Sequence, residues 1–217
     1  LLGQIFHSQG QPADAIKEYR RVEDRFADAR RSIAYFLRQQ IALPELTTLK
    51  PGEPAELKLT YRNVPACDVK VYGIDLMKFA RLRGNLAGIE QVNLAGIRPR
   101  HEETVALAEG LHAADQAHAI SLPLAETGAY LVVCRGGNEY ASGLVLVTPL
   151  QIKVEHIEAE SAARVMVRDS AAGQVVSGAQ VNVIDSTTGR SIAGKTDLRG
   201  VFVAEEVAGP PTVIVKD

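Results

Sequence analysis

Two cysteines, five histidines and a few neighbouring carboxylates carry what chemistry this sequence could offer. Cys67 follows Val-Pro-Ala at a turn; Cys134 stands in "YLVVCRGG", four residues after Tyr130. A nucleophilic cysteine needs a base within hydrogen-bond reach and a polar, partly open setting that lowers its pKa. Cys134 instead shares strand parity with Tyr130 and Val132 in an apolar run. It reads as a small buried hydrophobe, since free cysteine is among the most buried residue types. A disulfide between Cys67 and Cys134 stays open here. It would need Cα atoms about 4.4–6.8 Å apart, and two isolated cysteines are not a framework.

The histidines come next. "LHAADQAH" offers His112, Asp115 and His118, and "RHEE" offers His101 beside Glu102 and Glu103. In a loose loop these could converge on a metal, but their spacing matches no zinc signature, so they are read as solvated loop residues. His7 and His156 stand alone. Glu205 and Glu206 are adjacent, and neighbours on a strand face opposite sides, so they cannot work as an acid/base couple. There is no phosphate-cradling glycine loop before a helix and no basic stripe interleaved with aromatics. The expectation is therefore no catalytic, cofactor-binding or metal-binding residue, and no enzyme.

The totals set bounds on the same question. The 217 residues are 46% hydrophobic, with 24 basic against 26 acidic side chains and a net charge of −2. That balance gives no electrostatic footprint for a nucleic acid or an anionic membrane. No apolar run approaches the roughly 18 residues of a membrane span, and "LLGQIFHSQG" lacks the pattern of a signal peptide. Both ends begin or stop inside a pattern, so the chain is read as a piece of a longer polypeptide.

What positions these residues follows from periodicity. Residues 1–40 read as helix, with Leu2, Phe6, Ala15, Tyr19 and Val22 at helical spacing and "GQP" breaking the segment. "DARRSIAYFLRQQ" continues as a connector helix, with Ile33, Phe36 and Leu37 on one stripe. From Pro44 the period becomes two. "AELKLTYRNV" alternates Leu57, Leu59 and Tyr61 with polar residues, and "DVKVYGI" follows suit. "DLMKFARLRG" reads as a short helix capped by Asp75 and closed by Gly84. Residues 85–118 read as a long connection with little regular structure. Strands resume in "AISLPL", "GAYLVVC" and "YASGLVLVT". In the last pair, Gly128 and Tyr130 set the start of the strand and "RGGNE" makes the turn. From about residue 150, short strands and polar turns at "SAAG", "STTG" and "TDLRG" argue for a second sandwich. The fold expected is mainly β. It comprises a helical hairpin (1–40), an antiparallel β-sandwich with a short helix and long loop (41–149), and a second sandwich (150–217) continuing past the end of the sequence.

The helical part resembles a tetratricopeptide repeat through Leu2, Gly3, Phe6, Gly10, Ala15 and Tyr19, with Val22 and Ala27 departing from the pattern. The rest, roughly residues 44–217, resembles the bacterial alpha-2-macroglobulin family. "PGEPAELKLTYRN" is similar to the turn and strand opening one macroglobulin-like domain, and "LPLAETGAYLVVCRG…SGLVLVT" to its closing hairpin. The following domain is matched from Asp169 through Gly173, Val176, Gly178, Ala179 and Val181, then Thr196, Asp197, Gly200 and Phe202. That "TD-x-x-G-x-F" pattern also occurs in carboxypeptidase regulatory-like and prealbumin-like modules. There Asp197 would bond forward into the turn, Gly200 would take positive φ and Phe202 would cap the core. The family's Cys-Gly-Glu-Gln thioester is absent from this sequence. The resemblance implies a non-enzymatic, protein-binding, extracytoplasmic region, with protease trapping by the intact parent. A second reading is an adhesion or carbohydrate-binding module, which would want an exposed aromatic platform from Tyr61, Tyr72 or Tyr140. A third is an enzyme hidden in 85–118.

Overall fold

A computed structural model describes residues 2–83, 85–89, 92–112 and 114–216. Three short helices lead: α1 (Leu2–Ser8), α2 (Pro12–Arg20) and α3 (Ala27–Leu37). Pro12 starts α2, where its missing N–H costs nothing. A Cβ on Gly3 would lie 2.9 Å from the Tyr19 ring, so the glycine lets α1 settle on that aromatic. Ala15, Ile16 and Tyr19 bury against Ala29, Ile33 and Phe36, giving the helices a core of their own.

The helical reading of 1–40 runs too far at its end. Arg38 is already extended (ψ 123°), and β1 (Gln40–Ala42) begins two residues later. The cause is Asn63, whose Nδ2 donates to the carbonyls of Phe36 (2.6 Å) and Arg38 (3.1 Å). A side chain thus takes carbonyls at the helix end that no further turn satisfies.

The first sandwich packs two sheets. One has the order β1-β3-β6, with β3 Ala55–Arg62 and β6 Gln116–Leu122. The other has the order β2-β8-β7-β4-β5, with β2 Leu46–Leu49, β4 Ala66–Ile74, β5 His101–Ala106, β7 Gly128–Gly136 and β8 Glu139–Val147. Leu57, Leu59, Val69, Val71, Val132, Cys134 and Val145 meet in the interior. Each large aliphatic buried there contributes about 1.5–3 kcal/mol.

Two features depart from the sequence reading. The first is β5, which interrupts the supposed long connection. His101, Glu103 and Val105 are half-buried while Glu102, Thr104 and Ala106 are exposed, so the alternation is real but written mostly in polar residues. An edge strand tolerates that composition and is protected by it. The second is that β2 runs parallel to β8, Leu46 opposite Leu144. The chain leaves β1 at Leu43-Pro44 and crosses to the other sheet, where Gly143 admits the Pro44 carbonyl that any Cβ would strike.

Helix α4 (Leu76–Arg83) follows β4. Asp75 Oδ1 accepts the Lys78 N–H at 3.0 Å, as an N-terminal cap should; its expected closing residue, Gly84, lies outside the described residues.

The second sandwich sets β9 (Leu150–Ile157), β10 (Ala162–Asp169) and β13 (Val201–Glu205) against β11 (Gln180–Asp185), β12 (Ser191–Lys195) and β14 (Pro211–Lys216). Val165, Val167, Val181, Val183 and Ala204 form its core. Its turns are built from side chains. Thr196 Oγ1 donates to Val176 O (2.7 Å) and accepts from Ala179 N (3.0 Å). Asp197 Oδ1 accepts the N–H groups of Arg199 and Val201, both at 2.9 Å. These bonds hold the Asp197 carboxyl below the usual carboxylate range, the Val201 amide contributing most. Gly200 takes φ +70°, and a Cβ there would sit 2.7 Å from Val167 O. Phe202 packs onto the core beside Gly194.

Candidate functional site

The two cysteines stand on adjacent strands. Val69 of β4 is opposite Cys134 of β7, which puts Cys67 diagonally across from it on the same inward face. Both are fully buried and free. A hydrogen bond with Cys67, followed by burial, pushes the Cys134 thiol upward. A thiol held protonated in an apolar interior is a poor nucleophile. Tyr130 does something else: its hydroxyl donates to the Glu126 carbonyl at 2.8 Å, fixing the corner where β7 begins.

The histidines scatter. His101 pairs along β5 with Glu103 at 3.4 Å. His156 Nε2 meets the Val207 carbonyl at 3.1 Å. His118 sits on β6 opposite Leu59. His7 is not isolated as the sequence suggested. It lies between helices, its ring 4.6 Å from that of Phe36 and its Nδ1 3.4 Å from the Tyr19 hydroxyl. Among the described residues no three His, Cys, Asp or Glu side chains group so as to hold a metal.

His112, half-buried, differs from its reading as a solvated loop residue, while Asp115 keeps that reading, in a loop and 39% exposed. The His112 backbone N–H donates to Asn63 Oδ1 at 2.8 Å. Asp115 pairs at 2.7 Å with Arg62, whose side chain is only 7% exposed. The same guanidinium lies 5.3 Å from the centre of the Tyr35 ring on α3. Arg62 was hidden in the sequence because it falls at the end of an alternating strand, where a charge reads as solvent-facing. Together Asn63, Arg62 and Asp115 fasten α3 to the first sandwich. Glu206, past the end of β13, is committed to an ion pair with Arg190.

A shallow cavity of about 440 Å³ opens beside β5 and the start of β7, lined by Arg100, His101, Leu124, Glu126 and Tyr130. Arg100 is engaged twice there, by Glu126 Oε2 at 3.0 Å and by the Tyr130 ring at 5.8 Å. Of the tyrosines that could form an aromatic platform, Tyr61 and Tyr72 are buried at 4% and 8% exposure, while Tyr140 is 55% exposed.

No protein-family model matches the sequence, and no curated protein does. Solved structures do match. One is native alpha-2-macroglobulin from Escherichia coli spanning domains NIE-MG1, 14% identical, with a TM-score of 0.60, the match covering 82% of this chain and 97% of that one. Another spans domains MG0-NIE-MG1 of the same protein, 15% identical, with a TM-score of 0.63, covering 83% of this chain and 61% of that one. The chain has a macroglobulin-like fold, mainly β, with helices at its N-terminus.

Proposed function

We propose that this chain is a non-enzymatic, protein-binding region of an alpha-2-macroglobulin-like protein, acting outside the cytoplasm. Its parts would be a tetratricopeptide-like helical segment ending at Leu37, a macroglobulin-like sandwich from β1 to about residue 149 and a second sandwich of macroglobulin or carboxypeptidase regulatory-like type (150–217). The observation that carries this reading is the fold match across 97% of the E. coli NIE-MG1 structure. Burial of Tyr61 and Tyr72 weighs against a carbohydrate-binding platform. Among the described residues no helix is long and apolar enough to cross a membrane.

In this reading the chain is part of the wall of a trap, and the trapped protease would be a partner of the full-length parent. The test uses that parent. Incubated with an endopeptidase, it should suppress cleavage of a protein substrate while leaving cleavage of a small chromogenic peptide intact; the 217-residue chain alone should do neither. A parent that leaves both activities untouched removes protease trapping from the proposal and leaves the binding scaffold.

A further inference from the structure

The outer face of the β12-β11-β14 sheet is covered at one end and open at the other. Registers of the three strands set out its rows. Ser191, Ile184 and Thr212 form one, Ala193, Asn182 and Ile214 the next, and Lys195, Gln180 and Lys216 the last. Helix α4 covers the apolar end, with Ala80, Met77 and Leu76 packing on Ile184 and Ile214. Beyond Met77 the cover stops, and a cavity of about 250 Å³ remains over Asn182, Ala193, Gln180 and Lys195.

Asn182 forms the floor and is 2% exposed. Its Oδ1 accepts the Ser191 hydroxyl at 2.6 Å, while its Nδ2 is buried without a hydrogen-bond partner among the described residues. A buried donor without a partner is unfavourable, and an acceptor in the cavity would relieve it. Ala193, opposite Asn182, is too short to fill the space or supply one. Lys195 and Lys216 flank Gln180, and neither makes an ion pair among the described residues. The cavity therefore offers the Lys195 ammonium and the Gln180 amide above one buried N–H donor, with Lys216 further along the same row and outside its lining.

We infer that this cavity binds a carboxylate side chain of an acidic segment on a partner protein. The sign follows from Lys195, which lines the cavity, and the polarity from the Asn182 donor, which a carboxylate oxygen satisfies with a charge-assisted bond. The source follows from size. The cavity is smaller than the roughly 300–1,000 Å³ typical of pockets that enclose a free small molecule, yet it has room for one side chain. Met77, flexible and apolar, suits the methylene stem. This site rests on its own side chains and holds whatever the parent traps.

The experiment follows the Asn182 side-chain amide of the isotope-labelled 217-residue chain by NMR. Three probes are used: a blocked alanine-based peptide carrying two glutamates, its glutamine counterpart, and free glutarate. The acidic peptide should shift the Asn182 amide saturably, and Lys195→Gln and Asn182→Leu should each weaken binding about tenfold. Raised ionic strength should weaken it further. Lys195 is exposed, so Lys195→Gln keeps the test valid if Asn182→Leu fails to fold. Equal binding of the glutamine peptide, unchanged affinity in Lys195→Gln, or no saturable shift would overturn the site. Glutarate binding as tightly as the peptide would overturn its assignment to a protein partner.

Discussion

At the residue scale, the polar side chains that matter are those that close turns and cores. Cys134 is fully buried against Cys67, so replacing it with alanine removes one heavy atom from a packed interior. Cys134→Ala should cost about 1 kcal/mol, read as a shift in the urea midpoint, and Cys134→Val less. Folded protein should alkylate at Cys134 only as fast as it opens; rapid labelling would contradict the buried-thiol assignment. Asp185 is the sharper case. It is fully buried and accepts from Thr187 N (2.7 Å), Ala208 N (2.8 Å), Thr188 N and Gly209 N (both 3.3 Å). Desolvation raises its pKa, but the amide bonds outweigh that effect and hold it at about 2. A carboxyl depressed in the folded state stabilises fully above the ordinary aspartate value of about 3.9 and progressively less as pH falls towards 2. Asp185→Asn should therefore unfold at lower urea than wild type at pH 7, and the gap between them should narrow in acid. A gap that stays constant with pH would exclude the charge as its cause.

At the scale of elements, α3 is held by a corner of the first sandwich as well as by its own hairpin. Arg62 reaches Tyr35 on the helix and Asp115 on the loop before β6. Truncating one partner of a largely buried pair leaves the others unsatisfied. Arg62→Met keeps the apolar stem and removes the guanidinium. It should loosen the helix by about 1–3 kcal/mol, seen as faster hydrogen exchange in α3 amides while β7 and β8 stay protected. Equal loss of protection in β7 would mean that Arg62 supports the whole sandwich rather than the joint. Strand β5 teaches a related lesson: polar alternation is a weak strand signal, because it is also what a solvated loop looks like.

At the scale of the molecule, α4 comes from the first sandwich and packs on the outer face of the second. Ala80 and Ile184 are almost completely buried there, and Ile214 is 6% exposed. A charge at that contact would be desolvated without a partner. Ile214→Asp should split thermal unfolding into two transitions measured by calorimetry, where wild type gives one. A single transition in both proteins would mean that α4 does not couple the sandwiches.

Much of this was legible in the sequence. Period-two alternation in "AELKLTYRNV" and "GAYLVVC" and the turn chemistry of Asp197 and Gly200 placed the strands and corners, because such signals act between neighbours in the chain. The apolar surroundings of Cys134 likewise marked it as core. What the sequence could not show depends on residues far apart meeting. Asn63 ends α3 from 25 residues away, and Arg62 finds Asp115 across 53. The burial of Asn182 on β11 depends on α4 packing beside it, a contact between segments about 100 residues apart. Local pattern determines which face of a strand is apolar, whereas packing alone decides what covers the other face, and where the cover stops a buried donor is left to be answered.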